Sequence, residues 1–374
     1  MHGVLSSTEL AFIKQKDLFV ERALSECGYA SLSDVGDPTS RQPEALKPVI
    51  ISDYRAISAE EASAMARAFY GECGVVHFAT MNPEDKSAQS HALLDIASQL
   101  KDVLPLNYPV AHPMEGHPEA VSRFGQADGT LKIYDLDTKD ARVGYREQAE
   151  TSELFAAHND GLGYAGAVQA FGLYAESAPL WGGYTYFQNI VRLALHLAKV
   201  DPEAFESLFL PDAVTALRPR GKGAIEVVTP VLFVGEFGLP QVFFRMPSGE
   251  YRITWREGIP ALKRARDYLS NHSRPFSNGS SFIHLDRKGL GCFARNQWVV
   301  HGRTPFINGK VPDQVRVLAR KWFMSAPEHA NYKHVPGMHL LDQFAQLYPD
   351  RFGPERLSGH WNYDSEAKQN VRKG

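Results

Sequence analysis

"GCFARNQWVVHGR", residues 291–303, is short, rich in aromatic and β-branched residues, and runs into a Gly-containing turn, the composition of a strand segment. The same texture recurs on both sides of it. "TLKIYDL", "GAIEVVTPVLFVG", "PQVFFRM", "YRITW", "SSFIHL" and "QVRVLARKWFM" are runs of this kind separated by Gly, Pro or charged turns, beginning at about residue 130. Together they predict a mainly antiparallel β core. Two stretches interrupt it, residues 187–209 and 259–272, whose apolar residues fit one buried helical face and which are expected to pack outside a sandwich.

Upstream, residues 7–28 carry apolar residues at helical spacing, and "SDVGDPTSRQPEALKP" (33–48) is a Pro/Asp/Ser-rich connector. Residues 57–74 open with Ser58 followed three positions later by Glu61, a capping-box pattern, and feed the strand-like "VVHFAT". Another helix is expected over 87–104. The expected organisation is a helical arm and linker (1–48), a central domain (49–325) with its β core from about 130, and a C-terminal extension (326–374). There is no internal repeat and no low-complexity tract.

The chain of 374 residues carries a formal charge of −3, so it lacks the basic excess that draws proteins to nucleic acids or anionic membranes. A small-molecule partner is expected, with no nucleic acid and no membrane. Three cysteines, with no CxxC pair, exclude a cysteine-built zinc knuckle and favour a reducing cytoplasm. The opening residues are interrupted by Glu, Lys and Asp before a signal-peptide core could form, and no window approaches the ~20 apolar residues of a membrane span.

"AAHNDG" (156–161) holds His158 and Asp160 two positions apart. On an extended strand both would project to one face, where an imidazole nitrogen and a carboxylate oxygen can share a metal. The pair alone also fits a turn histidine beside a solvated acid. A third ligand is best supplied by His301, which ends an apolar run at a glycine turn; His196 lies on a helical segment, His77 on an early strand without an acid nearby, and His112, His117, His334 and His339 in Pro/Gly-rich loops. Two histidines and a carboxylate form the facial set of non-heme Fe(II).

Several motifs in order now agree with a known family. "AAHNDG", "APLWGGYTYFQN" (178–189), "RNQWVVHGRTPF" (295–306) and "QVRVLARKWF" (314–323) resemble those of the taurine dioxygenase-like Fe(II)/2-oxoglutarate-dependent oxygenases, a group that includes clavaminate synthase-like and γ-butyrobetaine hydroxylase-like enzymes. The resemblance spans about residues 50–325. It implies a double-stranded β-helix, a cupin-like jelly roll with flanking helices, and the cofactors Fe(II), 2-oxoglutarate and O2. It also implies hydroxylation of a C–H bond with release of succinate and CO2. Retention of the Asp160 carboxylate argues against the halogenases of this superfamily, in which a small residue takes its position.

Within the resemblance, His158, Asp160 and His301 are the metal ligands, and Arg316 and Thr185 hold the far carboxylate of 2-oxoglutarate. Arg316 follows His301 by fifteen residues, enough for the chain to turn and return as a neighbouring strand. A period of two puts Arg316, Leu318, Arg320 and Trp322 on one face of that strand, and Arg320 is the candidate anchor for a substrate anion. Asn296 and Arg303 are candidates for orienting the ligands or bracing the loop. Gly182 and Gly183 suit close backbone packing.

The polar stretch 132–155 is expected to form part of a lid, with Tyr145 and Arg146 as substrate contacts. The substrate class implied is small and anionic or zwitterionic, such as an amino acid or natural-product intermediate, and a homo-oligomer is compatible with the chain. Two other classes use the same ligands: a non-catalytic cupin-like binding protein, and a metal-dependent hydrolase. The hydrolase would leave Arg316 and Thr185 without a purpose, and Fe(II)-dependent consumption of 2-oxoglutarate would separate the binding protein from an oxygenase.

Overall fold

The computed structural model describes residues 7–81, 92–110, 130–135, 148–161, 168–210, 212–220, 223–234, 239–248 and 251–324. Helix α1 (Ser7–Cys27) leads through two short 3-10 turns to β1 (Glu44–Ala45) and β2 (Val49–Ile51). Helix α2 (Ala59–Phe69) begins on the capping box: Ser58 Oγ accepts from the Glu61 N–H, and the Glu61 carboxylate accepts from the Ser58 N–H at 2.8 Å. It feeds β3 (Val75–Thr80), followed by α3 (Ala92–Leu100), β4 (Tyr108–Val110), β5 (Leu131–Tyr134) and β6 (Phe155–His158).

The long strand β7 (Val168–Ser177) turns through β8 (Trp181–Gly182) into β9 (Thr185–Asn189), and two helices follow, α4 (Ile190–Val200) and α5 (Pro202–Ser207). Strands β10 (Val214–Arg220), β11 (Gly223–Thr229), β12 (Leu232–Val234), β13 (Pro240–Val242) and β14 (Arg252–Trp255) precede α6 (Pro260–His272). The chain then supplies β15 (Ser281–Ile283), β16 (Leu290–Arg295), β17 (Val299–Arg303), β18 (Phe306–Ile307) and β19 (Val317–Met324).

Two sheets make the body. One has the order β1-β15-β9-β17-β6; the other runs β2-β3-β16-β7-β19-β4, with β5 also paired to β19. Apart from the parallel pairs β1–β15 and β2–β3, all strand pairs are antiparallel, as the turn-punctuated sequence predicts. Period-two alternation sorts the side chains of the larger sheet. On β19, Leu318, Trp322 and Met324 join the core shared with β6, β9 and β17, while Ala319 and Phe323 join a second cluster under α2 and α3. Strand β7 does the same, with Phe171 and Leu173 in the first core and Ala170 and Tyr174 in the second. This is a jelly roll with flanking helices, the expected fold class.

The helical stretch expected at 187–209 differs in detail. Phe187, Gln188 and Asn189 belong to β9, held between β15 and β17, and the Asn189 side chain then accepts from the Arg192 N–H to start α4. Asp201 ends α4 and caps α5, with Pro202 in its first turn, so the stretch breaks into two helices. Ladder pairing on both edges outweighed helical periodicity in these first residues.

Candidate metal centre

Strand pairing assembles the site. Antiparallel β6 and β17 put His158 directly opposite His301, and β17 also pairs with β9, putting Arg303 opposite Thr185. Gly302 permits this crowding: a Cβ there would lie 2.3 Å from the Tyr186 ring and 2.5 Å from the Phe155 carbonyl oxygen. Two residues past His158, Asp160 completes a buried group in which ligand atoms of His158, Asp160 and His301 all lie within 4.8 Å of one another.

The residue between His158 and Asp160 faces the other way and pins the turn. Asn159 Nδ2 donates to the carbonyls of Asn296 (2.6 Å) and Val299 (3.1 Å), and its Oδ1 accepts from the Phe244 N–H. Asn296 clamps the backbone of Asp160, accepting from its N–H at 2.8 Å and donating to its carbonyl at 2.9 Å. Trp322 Nε1 donates to Asp160 Oδ2 at 2.8 Å, and Arg320 Nη1 lies 3.8 Å from Oδ1. His158 Nδ1 donates to the Ala156 carbonyl, which leaves Nε2 with its lone pair toward Asp160, 3.5 Å from Oδ1.

The electrostatics suit a cation at these atoms. Burial alone would raise the Asp160 carboxyl, but the Arg320 charge leads the opposing causes, and the carboxyl lies well below the usual carboxylate range. Burial lowers His158, helped by the Arg245 charge, and lowers His301 well below the ordinary histidine value, helped by His158. Two neutral imidazoles and an ionised carboxylate are the protonation states a divalent transition metal requires. The donor set therefore fits Fe(II) by chemistry as well as by proximity.

A cleft with about 370 Å3 of empty space adjoins His301. Its polar wall holds Thr185, Arg303, Arg316 and Arg320, and its apolar wall holds Ile133, Phe155, Leu173 and Leu318. Among the described residues, Thr185 Oγ1 and Arg316 Nη1 are both buried without a hydrogen-bond partner. Burial, with the like charge of Arg303, pulls the Arg316 guanidinium well below its ordinary value. A buried guanidinium and an orphaned hydroxyl in one cleft beside a metal set form a ready receptor for a carboxylate.

Among the other expected residues, Arg303 donates to the carbonyls of Ala149, Thr151 and Glu153, tying β17 to the turn before β6. Gly182 and Gly183 both have a φ of +76°, and a Cβ on Gly182 would come within 2.4 Å of the Pro305 carbonyl oxygen. Tyr145 and Arg146, with residues 136–147 of the expected lid, lie outside the described residues. His196 sits on α4, its Nδ1 2.8 Å from the Tyr268 hydroxyl, and His77 bonds the Leu46 carbonyl.

Sequence reasoning passed over Asn159, Trp322 as a donor, and Arg245. Trp322 was placed on the correct face by the period of two, but its bond partner was not legible. Arg245 forms an isolated bridge with His158 and stacks at 4.1 Å on the Tyr251 ring; nothing in "PQVFFRM" signals that.

No family model matches the sequence, and no curated protein matches it. Solved structures do. Asparagine oxygenase in complex with Fe(II), 2S,3S-3-hydroxyasparagine and succinate is similar over 86% of this chain and 92% of that one, with a TM-score of 0.50 and 15% identity. The non-heme iron oxygenase OrfP in complex with Fe and alpha-ketoglutaric acid is similar over 86% and 93%, with a TM-score of 0.50 and 16% identity. A further OrfP structure gives a TM-score of 0.51 over 87% and 95%, at 14% identity. At these identities the likeness establishes a shared fold.

Proposed function

We propose that the protein is an Fe(II)- and 2-oxoglutarate-dependent oxygenase that hydroxylates a C–H bond of a small anionic or zwitterionic substrate. The observation that carries this reading is the pair of buried, unpartnered atoms, Thr185 Oγ1 and Arg316 Nη1, in the cleft that borders His301. A metal-dependent hydrolase would have no use for them. Iron, 2-oxoglutarate and oxygen, when bound, supply the oxidation, delivering one oxygen atom to the C–H bond and the other to succinate with loss of CO2.

The chain's own residues bind, orient and exclude water. His158, Asp160 and His301 would hold the metal, and Asn296 and Asn159 keep Asp160 and its turn from relaxing. Arg316 grips the far carboxylate of 2-oxoglutarate with Thr185 as its hydroxyl partner. Phe155, Leu173 and Leu318 line the same cleft with apolar surface that keeps water from the cosubstrate. Arg320 is the proposed anchor for a substrate anion, with Tyr145 and Arg146 as further substrate contacts. Arg303 braces the neighbouring turn.

An amino acid is the favoured substrate class, since proteins of this fold hold 2S,3S-3-hydroxyasparagine or (3S)-hydroxy-L-Arg beside succinate. Among the described residues no helix is long and apolar enough to cross a membrane. We place the enzyme in the cytoplasm and keep residues 1–48 and 326–374 as extensions of a catalytic domain at 49–325. Anaerobic absorption spectroscopy tests the core of the proposal. Fe(II) and 2-oxoglutarate should give a weak visible charge-transfer band, lost in Asp160→Ala and much weakened in Arg316→Ala. No band from folded, iron-loaded protein would refute the oxygenase reading.

A further inference from the structure

Asp160 is held by its backbone and by one side-chain oxygen. Asn296 fixes its N–H and carbonyl, and Trp322 Nε1 donates to Oδ2 at 2.8 Å; Oδ1, which carries no hydrogen bond from Trp322, stands 3.5 Å from His158 Nε2, and Oδ2 stands 4.0 Å from His301 Nε2. Trp322 reaches Asp160 from the opposite sheet: it lies on β19, and Asp160 follows β6. It is 5% exposed and Asp160 8%, so water does not replace the bond freely.

We propose that Trp322 is a positioning residue that restricts Asp160 to presenting one oxygen, Oδ1, to the metal. The inference rests on the metal-centre reading above and adds how its carboxylate binds. A carboxylate with both oxygens free can take a cation by one oxygen or by two. An indole N–H is a donor and nothing else, and it is neutral, so it occupies a lone pair of Oδ2 without cancelling the charge on which metal affinity depends. Arg320 Nη1, at 3.8 Å from Oδ1, is beyond hydrogen-bond distance and does not fix either oxygen. A one-oxygen grip conserves a coordination position for a chelating 2-oxo acid and oxygen. Partners of this kind around a metal ligand commonly govern both affinity and geometry.

The test uses the full chain with Co(II) as a spectroscopic probe, comparing wild type, Trp322→Phe and Trp322→His. Trp322→Phe keeps the ring packing and deletes the donor; Trp322→His restores an N–H. We expect Trp322→Phe to bind Co(II) about 10- to 100-fold more weakly with an altered visible spectrum, and Trp322→His to recover part of both. Wild-type affinity and spectrum in Trp322→Phe would overturn the inference while leaving the metal centre intact. Failure of wild type to bind Co(II) would remove the metal reading itself. If Trp322→Phe does not fold, the 15N-indole spectrum of wild type decides: of the five tryptophans, one slowly exchanging indole N–H should shift when Zn(II) is added. No responding indole N–H would overturn the proposal.

Discussion

His158 and His301 are registered partners across the antiparallel pair of β6 and β17, with ring centroids 4.4 Å apart. They are 143 positions apart in the chain (301 − 158), so the jelly-roll topology, and not local sequence, brings the imidazoles together. The same strand β17 carries Arg303 opposite Thr185, which links the metal set to the cleft in one rigid ladder.

Arg316 and Thr185 are separable from the proposed metal ligands. Arg316→Ala removes the buried cation that would face a ligand carboxylate, so 2-oxoglutarate should bind about 30-fold more weakly or worse, with metal affinity little changed. Thr185→Val deletes one hydrogen bond and should cost about 1 kcal/mol, roughly fivefold in affinity. Anaerobic titration of the charge-transfer band reads both.

Gly302 has no room for a side chain. Gly302→Ala drives a Cβ to 2.3 Å from the Tyr186 ring and 2.5 Å from a backbone oxygen, so β17 must shift. The expected loss is about 1–3 kcal/mol or more, read as a lower urea midpoint at unchanged slope, together with weaker metal binding. An unchanged midpoint would show that the β6–β17–β9 packing is looser than described.

Asn159 should matter for stability where its neighbour Asp160 matters for the metal. Asn159→Ala leaves the Asn296 and Val299 carbonyls and the Phe244 N–H without their side-chain partner, at a cost of about 2–4 kcal/mol. Urea unfolding of the metal-free protein measures it, free of any contribution from ligand binding.

A pH dependence follows from His77, which lies on β3 away from the proposed metal ligands. Burial lowers its pKa below the ordinary 6.5, partly offset by its bond to the Leu46 carbonyl and by Asp286, while Arg287 adds to the lowering. The unfolded chain therefore takes up the proton first as pH falls. Stability from this group is complete above about pH 6.5 and declines below it, until the folded-state pKa is reached. Between pH 7.5 and 5 the melting temperature of the metal-free protein should fall, and His77→Gln should fall less steeply.

Local order was legible because it depends on neighbours in the chain. The alternation in "QVRVLARKWF" correctly put Arg316, Leu318, Arg320 and Trp322 on one face, and all four border the metal group or its cleft. Ser58 and Glu61 likewise announced the start of α2, since a capping box closes within one turn. Phe187 to Asn189 show the limit: their helical pattern was real, yet ladder bonds to β15 and β17, made by residues about a hundred positions away, drew them into a strand.

The β-rich core, the acid and imidazole types at 158, 160 and 301, and the arginine-bearing face of the last strand are legible in the chain alone. How those groups are held depends on long-range contacts. Asn159 reaches across to the turn between β16 and β17, Arg245 bridges to His158, and Trp322 crosses from one sheet to bond Asp160 beside the other. Such bonds are set by sheet order and by 3 Å distances between residues far apart in the chain, and no periodicity or motif encodes them.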